Sequence, residues 1–212
     1  MLVKNLLLFF ISILTISIQA QGFEGEIEFT INHTFKDSTL KNNPQLPTKM
    51  TYSISGEYSR CIQKTRIGEQ SIIKDTLSNK SILLISIFEE PIALELTNEK
   101  DTIDTSKVSY SKSRKKILGF DCNKITIENY NKKTKKTSTS FFYITDEISN
   151  SYSNNYPELN GFALEYEIDS PELTSKYSAV KIEEKKIDPT FFNIDKNIRT
   201  FTMEEFRSLM NQ

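Results

Sequence analysis

A single histidine, His33, limits the chemistry that this chain could perform. A Ser-His-Asp or Cys-His nucleophilic site would have to use it as its base. His33 ends a segment with two-residue alternation and lies in phase with the apolar residues Phe29 and Ile31, and no nucleophile-elbow motif surrounds it. We therefore interpret His33 as a structural or rim histidine.

The two cysteines, Cys61 and Cys122, allow two interpretations. After export to an oxidising compartment they could pair, and a disulfide closing a loop of about 60 residues would contribute roughly 3–4 kcal/mol to stability. Alternatively, they are separate buried thiols that act as small hydrophobic residues. Nothing in the sequence indicates that the two positions meet, so both alternatives stay open. One histidine and two cysteines without CxxC spacing predict no metal site.

Carboxylates are the other candidates for catalysis, as an acid–base pair of the glycosidase kind. Glu24, Glu26 and Glu28 alternate with apolar residues, which is typical of the solvated face of a strand. Glu165 and Glu167 follow the same pattern. The sequence also contains no P-loop and no GxGxxG motif. We therefore predict no catalytic residues, no cofactor and no enzymatic activity.

The composition predicts a strand-rich domain without affinity for nucleic acid. The chain of 212 residues has 27 basic and 28 acidic residues, so it has no general positive field for nucleic acid or an anionic membrane surface. It contains no tryptophan but nine tyrosines and 14 phenylalanines, and aromatic residues favour strands.

The N-terminus has the pattern of a secretory signal peptide. Lys4 precedes an apolar core of about 13 residues, too short for a membrane span of about 20. Ala20 is suited to the position before cleavage. We predict a signal peptide over residues 1–20 and one β-rich domain over residues 21–212, not membrane-spanning once mature. The alternative is an uncleaved anchor.

Periodicity predicts about ten strands and one helix. Residues 23–33 alternate cleanly, as a strand with one buried face does. Residues 82–88 are apolar on both faces, which predicts a central or covered strand. Residues 202–205, Thr-Met-Glu-Glu, form a capping box that opens a short C-terminal helix. Many short strands predict a mainly β protein with a curved antiparallel sheet or an incomplete β-barrel.

Several short motifs resemble those of an uncharacterised family of exported Gram-negative envelope proteins. Lys-Ile-Leu-Gly-Phe-Asp-Cys-Asn-Lys at 116–124 is similar to that family's "Lys-Ile-Leu-Gly-aromatic-x-Cys-x-Lys" segment. The similarity to that family extends to the strand end at 142–146, the strand at 160–166 and the tail at 191–194. A related group with a "Gly-Leu-Pro-Gly-Leu-Ile" signature fits less well, because residues 159–164 lack the proline.

The resemblance implies a LolA-like fold, a curved sheet that in lipoprotein carriers holds acyl chains beneath covering helices. It implies a location in the periplasm or outer envelope of a Gram-negative bacterium. We expect a non-enzymatic protein that binds a lipid, a lipoprotein acyl chain or another apolar ligand in the concave sheet. The alternative is an envelope interaction or structural module with a filled core and no ligand, because the chain predicts few helices to serve as a lid. At 119, we expect glycine to permit a bend between two strands.

Overall fold

The computed structural model describes residues 22–66, 68–87, 90–96, 104–132, 135–153, 156 and 158–210. The predicted signal peptide over residues 1–20 lies outside these ranges. No helix within them is long and apolar enough to cross a membrane. The strands are β1 (Gly25–Phe35), β2 (Lys49–Ser55), β3 (Tyr58–Thr65), β4 (Gly68–Asp75), β5 (Lys80–Ile87), β6 (Glu90–Leu96), β7 (Asp104–Ile117), β8 (Phe120–Asn131), β9 (Lys136–Thr145), β10 (Phe162–Asp169), β11 (Leu173–Glu184) and β12 (Arg199–Thr202).

All twelve strands belong to one sheet, in the order β12-β6-β5-β4-β3-β2-β1-β11-β10-β9-β8-β7. Neighbours pair antiparallel except β12 and β6, which run parallel. The sheet is curved and open, and one short α-helix, α1 (Met203–Met210), follows β12. The predicted fold class, a mainly β protein with a curved antiparallel sheet and a C-terminal helix, is confirmed.

The segment at 116–124 forms a hairpin corner. Ile117 pairs with Phe120, so Leu118 and Gly119 make the two-residue turn between β7 and β8. Both have positive φ, 49° and 98°, as a type I′ turn requires. The predicted bend at Gly119 is confirmed, and it is a tight turn.

Register shifts interrupt three strand pairs. They lie between Glu28 and Phe29 in the β1–β11 pair, between Ala163 and Glu165 in β10–β9, and between Tyr110 and Arg114 in β7–β8. Bulges bend a strand and increase its local twist. They therefore help to curve the sheet and give it an inner and an outer face.

The inner face carries the main core. In β1 it presents Ile27, Phe29 and Ile31, while Glu24, Glu26 and Glu28 lie on the outer face, as the alternation predicts. Residues at matching register in neighbouring strands extend this core. They include Met50, Tyr52, Ile54, Ile125, Phe142, Leu164 and Tyr166.

The segment that joins β11 to β12, residues 185–198, crosses the outer face, and we name it the strap. The sequence Asp188-Pro189 predicts a helical turn, because it places an N-cap residue before a proline at the first helical position. Asp188 does cap the 3-10 helix Pro189–Phe192, by accepting from the Thr190 N–H at 2.9 Å. The Arg60 guanidinium, on the outer face of β3, donates to the Phe191 carbonyl at 2.8 Å and lies 4.9 Å from the centre of its ring. The Phe192 ring stacks on Tyr58 at 5.9 Å. The strap thus brings β12 to the far edge of the sheet.

Removing the strap's aromatic anchor should destabilise the protein. Phe192 is 6% exposed, and Phe192→Ala should lower the free energy of unfolding by about 3 kcal/mol, the low end for buried phenylalanine. Leu77, which is 82% exposed, provides the control, because Leu77→Ala should change the free energy of unfolding by less than about 0.5 kcal/mol. Urea unfolding measures both. Equal losses of stability from Phe192→Ala and Leu77→Ala would mean that Phe192 does not anchor the strap to the sheet.

The capping box predicted at 202–205 is present. The Thr202 hydroxyl accepts from the Glu205 N–H at 3.2 Å, and the Glu205 carboxylate accepts from the Thr202 N–H at 2.8 Å. Two backbone donors at the start of α1 are thereby satisfied.

Candidate functional site

Among the described residues, the inner face is covered by a loop that contains the short 3-10 helix Asn150–Tyr152 and by no α-helix. We name residues 146–153, 156 and 158–161 the covering loop. Ile148 and Leu159 are buried in the core, and the Phe162 N–H donates to the Ile148 carbonyl at 3.0 Å. The Tyr152 hydroxyl donates to the Gly56 carbonyl at 2.7 Å, which ties the loop to the turn between β2 and β3. The loop is therefore held from both sides.

Beneath the covering loop lies a cluster of aromatic rings. Phe142 stacks on Tyr166 at 5.8 Å, and Tyr166 stacks on Tyr177 at 4.4 Å. Tyr156 from the loop meets Phe142 at 4.5 Å, and Phe162 meets Tyr52 at 5.1 Å. Offset and edge-to-face contacts of this kind add to the stability gained from burying the rings.

The cavity left among these rings is about 20 Å³ in volume. A cavity needs about 10–15 Å³ to hold one water molecule. This space therefore admits a water and excludes an acyl chain. Between the two alternatives of an open concave site and a filled core, the geometry beneath the covering loop favours the filled core.

A larger groove lies outside the core, along the covering loop. Its volume is about 650 Å³, within the usual size range of ligand sites. Its walls combine polar groups with apolar surface, which includes Phe23 and the anchors of the loop. Its residues are Gly22, Phe23, Lys74, Asn79, Asp146, Glu147, Ile148, Ser149, Asn150, Ser151, Tyr152, Ser153, Leu159, Asn160 and Gly161.

Lys74 is the unusual member of this groove. The residue is only 9% exposed, and its Nζ donates to the Ser153 carbonyl at 2.6 Å. Burial lowers the pKa of the ammonium, and no carboxylate of the described chain offsets that effect. Lysine is almost never this buried unless paired, because desolvating an ammonium is costly. In the part of the chain that the structure describes, this groove-lining ammonium therefore has one carbonyl partner.

The register of the sheet explains how a lysine fits there. Lys74 is on the inner face of β4, directly opposite Ser59 of β3 and Ser81 of β5. Both serines are buried and small, which leaves room beside them for the lysine stem. The sequence analysis did not select Lys74. Lys74 can be recognised as an inner-face residue only when the strand pairing is known. The pairing places a small serine on each side of it, and Lys74 alternates in phase with Ile72.

The groove is also lined by two carboxylates, where the covering loop leaves the end of β9. Asp146 and Glu147 follow directly after β9, and both are exposed. Close packing sets the position of the loop at this end, because a Cβ at Gly161 would lie 2.3 Å from the Thr145 carbonyl oxygen. The lining of the groove thus includes one buried cation and two exposed carboxylates.

The two cysteines are free, buried thiols and are not at disulfide distance. Cys61 is in β3 and Cys122 in β8, with five strands between them in the sheet order. The structure therefore supports separate thiols and does not support the disulfide alternative. Burial raises the pKa of Cys61 to about 12 and that of Cys122 to about 11.

Both thiols should resist alkylation in the folded protein. The thiolate is the reactive form, and at pH 8 raised pKa values leave almost none of it. Iodoacetamide at pH 8 should leave the native mass unchanged and add two carbamidomethyl groups after unfolding in urea. A mass with two fewer hydrogens, unreactive until reduced, would contradict the free-thiol state.

His33 has a structural role, as its position predicted. Its Nε2–H donates to the Pro47 carbonyl at 2.8 Å, and its Nδ1 lies within hydrogen-bond distance of the Ser175 hydroxyl, at 2.9 Å. Ser175 is buried within β11. In the ranges that the structure describes, no three His, Cys, Asp or Glu side chains come together as metal ligands.

The strand glutamates form structural contacts. Glu24 accepts from the Ser55 hydroxyl at 2.8 Å and from the Ile187 N–H at 3.1 Å, and these bonds lower its pKa. Glu26 pairs with Lys185 at 2.7 Å, and Glu165 pairs with Lys115 at 2.8 Å. These contacts fix the strap and the outer face.

Comparison with known proteins identifies no family. No family profile and no curated protein sequence matches the chain. A solved structure, LprF from Mycobacterium bovis, aligns over 80% of this chain and 90% of LprF, with 9% sequence identity and a TM-score of 0.33. A TM-score of this size does not establish a common fold, so the architecture rests on the strand order given above.

Proposed function

We propose that this protein is a non-enzymatic binding protein, exported to the cell envelope, whose groove holds the carboxylate of a small polar ligand on Lys74. One observation carries the proposal. Lys74 lines a groove of about 650 Å³, is 9% exposed, and within the described ranges its ammonium has the Ser153 carbonyl as its one acceptor. The proposed export rests on the signal-peptide pattern of residues 1–20.

The chemistry of Lys74 selects a carboxylate. An ammonium has three N–H donors, and the Ser153 carbonyl uses one of them. A carboxylate can accept from the remaining donors in charge-assisted hydrogen bonds, which are stronger than neutral ones. Such a ligand offsets the cost of burying the charge. It should also raise the pKa of Lys74 back towards its ordinary value.

The sequence led us to expect an acyl chain within the concave sheet. We propose instead a polar ligand in the groove at the mouth of the sheet. Support comes from the cavity of about 20 Å³ beneath the covering loop, which is too small for an acyl chain. Lipid carriage is then an alternative outcome of the same experiments. Co-purification of acyl species would favour it.

The second candidate function is docking of another envelope protein on β7. One observation favours it. β7 spans Asp104–Ile117 and is the terminal strand of the sheet, so one side of its backbone lacks a neighbouring strand among the described residues. An extended segment of a partner could add to such an edge. A crosslinked pull-down that recovers one discrete protein through β7 would support this function.

The proposal is tested with N-acetyl-triglycine, a probe whose only charge is its carboxylate. In a ¹⁵N NMR titration at pH 7 it should shift the amides of the groove, with a dissociation constant in the millimolar range. Lys74→Met should abolish these shifts. The control Lys49→Met removes an exposed cation of β2 and should preserve them. Equal shifts in both variants would refute the carboxylate site.

Binding of this probe should also depend on pH in a defined direction. Burial lowers the pKa of Lys74, so its ammonium loses its proton at a lower pH than the ordinary 10.5. The probe should therefore dissociate as the pH rises towards that value, and Lys74→Met should show no such transition. Between the lowered pKa and 10.5 the unfolded chain binds more protons than the folded protein, so the wild-type free energy of unfolding should rise with pH in that interval.

A further inference from the structure

We propose that Lys74 is also a covalent site, at which the neutral amine of its side chain condenses with a small aldehyde to form an imine. This inference uses the groove of the proposed function, but it needs only the Lys74 amine and not a ligand carboxylate. The two proposals can therefore fail independently. Imine formation is reversible, so such a site holds a carbonyl compound and releases it unchanged.

The groups around Lys74 favour the neutral form of its amine. The residue is 9% exposed, and its neighbours in the sheet are the uncharged Ser59 of β3 and Ser81 of β5. From the covering loop, the Ser153 carbonyl accepts from Nζ at 2.6 Å. Burial lowers the pKa of Lys74, so at pH 7 a larger fraction of this amine is neutral than of an exposed lysine.

The other titratable groups that line the groove do not hold Lys74 in its charged form. They are the exposed carboxylates of Asp146 and Glu147 and the phenol of Tyr152. Burial raises the pKa of Tyr152, whose hydroxyl donates to the Gly56 carbonyl at 2.7 Å. Within the described ranges, none of the three makes an ion pair or a hydrogen bond with Lys74. The reaction of Lys74 therefore breaks no ion pair there.

The groove gives a small aldehyde access to this amine. Lys74 lines a space of about 650 Å³, which accommodates a molecule of a few carbon atoms. A neutral amine has two N–H groups and one lone pair, and the Ser153 carbonyl accepts from one N–H. The lone pair remains as the nucleophile. Desolvated lysines of this kind are the ones that form Schiff bases with carbonyl substrates.

The condensation needs no oxidant and no reductant. The nitrogen lone pair attacks the carbonyl carbon, a C–N bond forms, and the carbonyl oxygen takes one proton from the nitrogen. The C–O bond then breaks, and the oxygen leaves as water with the second N–H proton. The product is a C=N imine, with one water released for each aldehyde bound. When protonated, the imine keeps one N–H, which can donate to the Ser153 carbonyl as the ammonium does.

The test is imine trapping with propanal, a neutral aldehyde without a carboxylate. The folded, full-length protein is equilibrated with propanal at pH 7, and sodium cyanoborohydride then supplies the hydride that reduces each imine to a stable propylamine. Peptide mapping by mass spectrometry locates the label. We expect at least about threefold more label on Lys74 than on Lys49, an exposed lysine of β2. In urea the two lysines should be labelled equally, because unfolding removes the burial of Lys74.

Two further measurements separate this inference from the proposed function. Lys74→Met should remove the preferred site and leave the labelling of Lys49 unchanged. N-acetyl-triglycine should protect Lys74, because a bound carboxylate favours the ammonium form. Label on Lys74 equal to or below that on Lys49 in the folded protein would overturn the imine site and leave the carboxylate site standing. Preferential labelling that N-acetyl-triglycine does not reduce would support the imine site and contradict the carboxylate site.

Discussion

Replacing Lys74 with methionine should abolish carboxylate binding and leave the fold nearly as stable as before. The lysine is buried without a carboxylate partner, and an apolar side chain of similar volume removes its desolvation cost. Water in the groove can replace Nζ as donor to the Ser153 carbonyl. We expect the free energy of unfolding to change by less than about 1 kcal/mol, in either direction.

The combination of these two results separates a binding role from a structural one. A lysine that supports the fold would cost several kcal/mol when removed. Lys49→Met provides the matched control, because it removes the same charge from an exposed position in β2. Urea unfolding measures stability, and the N-acetyl-triglycine titration measures binding. A large loss of stability with binding intact would contradict our account of Lys74.

Truncating Phe142 to alanine should cause the largest loss of stability among the substitutions considered. Phe142 is 1% exposed, and its ring packs against Tyr156 of the covering loop and Tyr166 of β10. We expect Phe142→Ala to lower the free energy of unfolding by about 3–5 kcal/mol. The covering loop should then also loosen, which amide exchange at Ile148 would detect.

The neighbouring residue gives an internal control. Phe141 points to the outer face, is 37% exposed and lies beside Lys124, whose Nζ is 4.7 Å from the ring centre. Phe141→Ala should cost less than about 1 kcal/mol. Adjacent phenylalanines thus test the face assignment of β9. Equal losses from both would contradict a core filled only from the inner face.

The local features of the fold could be predicted from sequence because each depends on a few neighbouring residues. Alternation over 23–33 predicted the buried face of β1, and the Thr202–Glu205 pair predicted the start of α1. Asp188 before Pro189 predicted the turn that opens the strap helix. The two caps depend on hydrogen bonds between residues close in the chain, and the buried face of β1 depends on a period-two pattern within one short segment.

Long-range features escaped prediction because they depend on which strands become neighbours. The parallel pair of β12 and β6 forms only because the strap crosses the outer face. Lys74 becomes part of a groove because Ser59 and Ser81 lie opposite it, and the covering loop then closes over the core. No local pattern around Lys74 encodes these contacts, which join residues as distant as 74 and 153.

A correct prediction for the concave face also required knowing which segments become neighbours in the fold. The alternating Phe and Ile residues do line the inner face, as predicted. Whether such a face is open or filled depends on what covers it. Here Ile148, Tyr156 and Leu159 of the covering loop pack against it, so the apolar surface is satisfied internally.

Native mass spectrometry of the protein recovered from its own envelope tests the central claim most directly. Our account predicts a small polar ligand on the wild-type protein, absent from Lys74→Met and retained by Lys49→Met. Neither variant should carry an acyl species. An acyl chain bound equally to the wild-type protein and to Lys74→Met would contradict the account. The filled core has no space for an acyl chain, and binding that does not depend on Lys74 would not involve the groove.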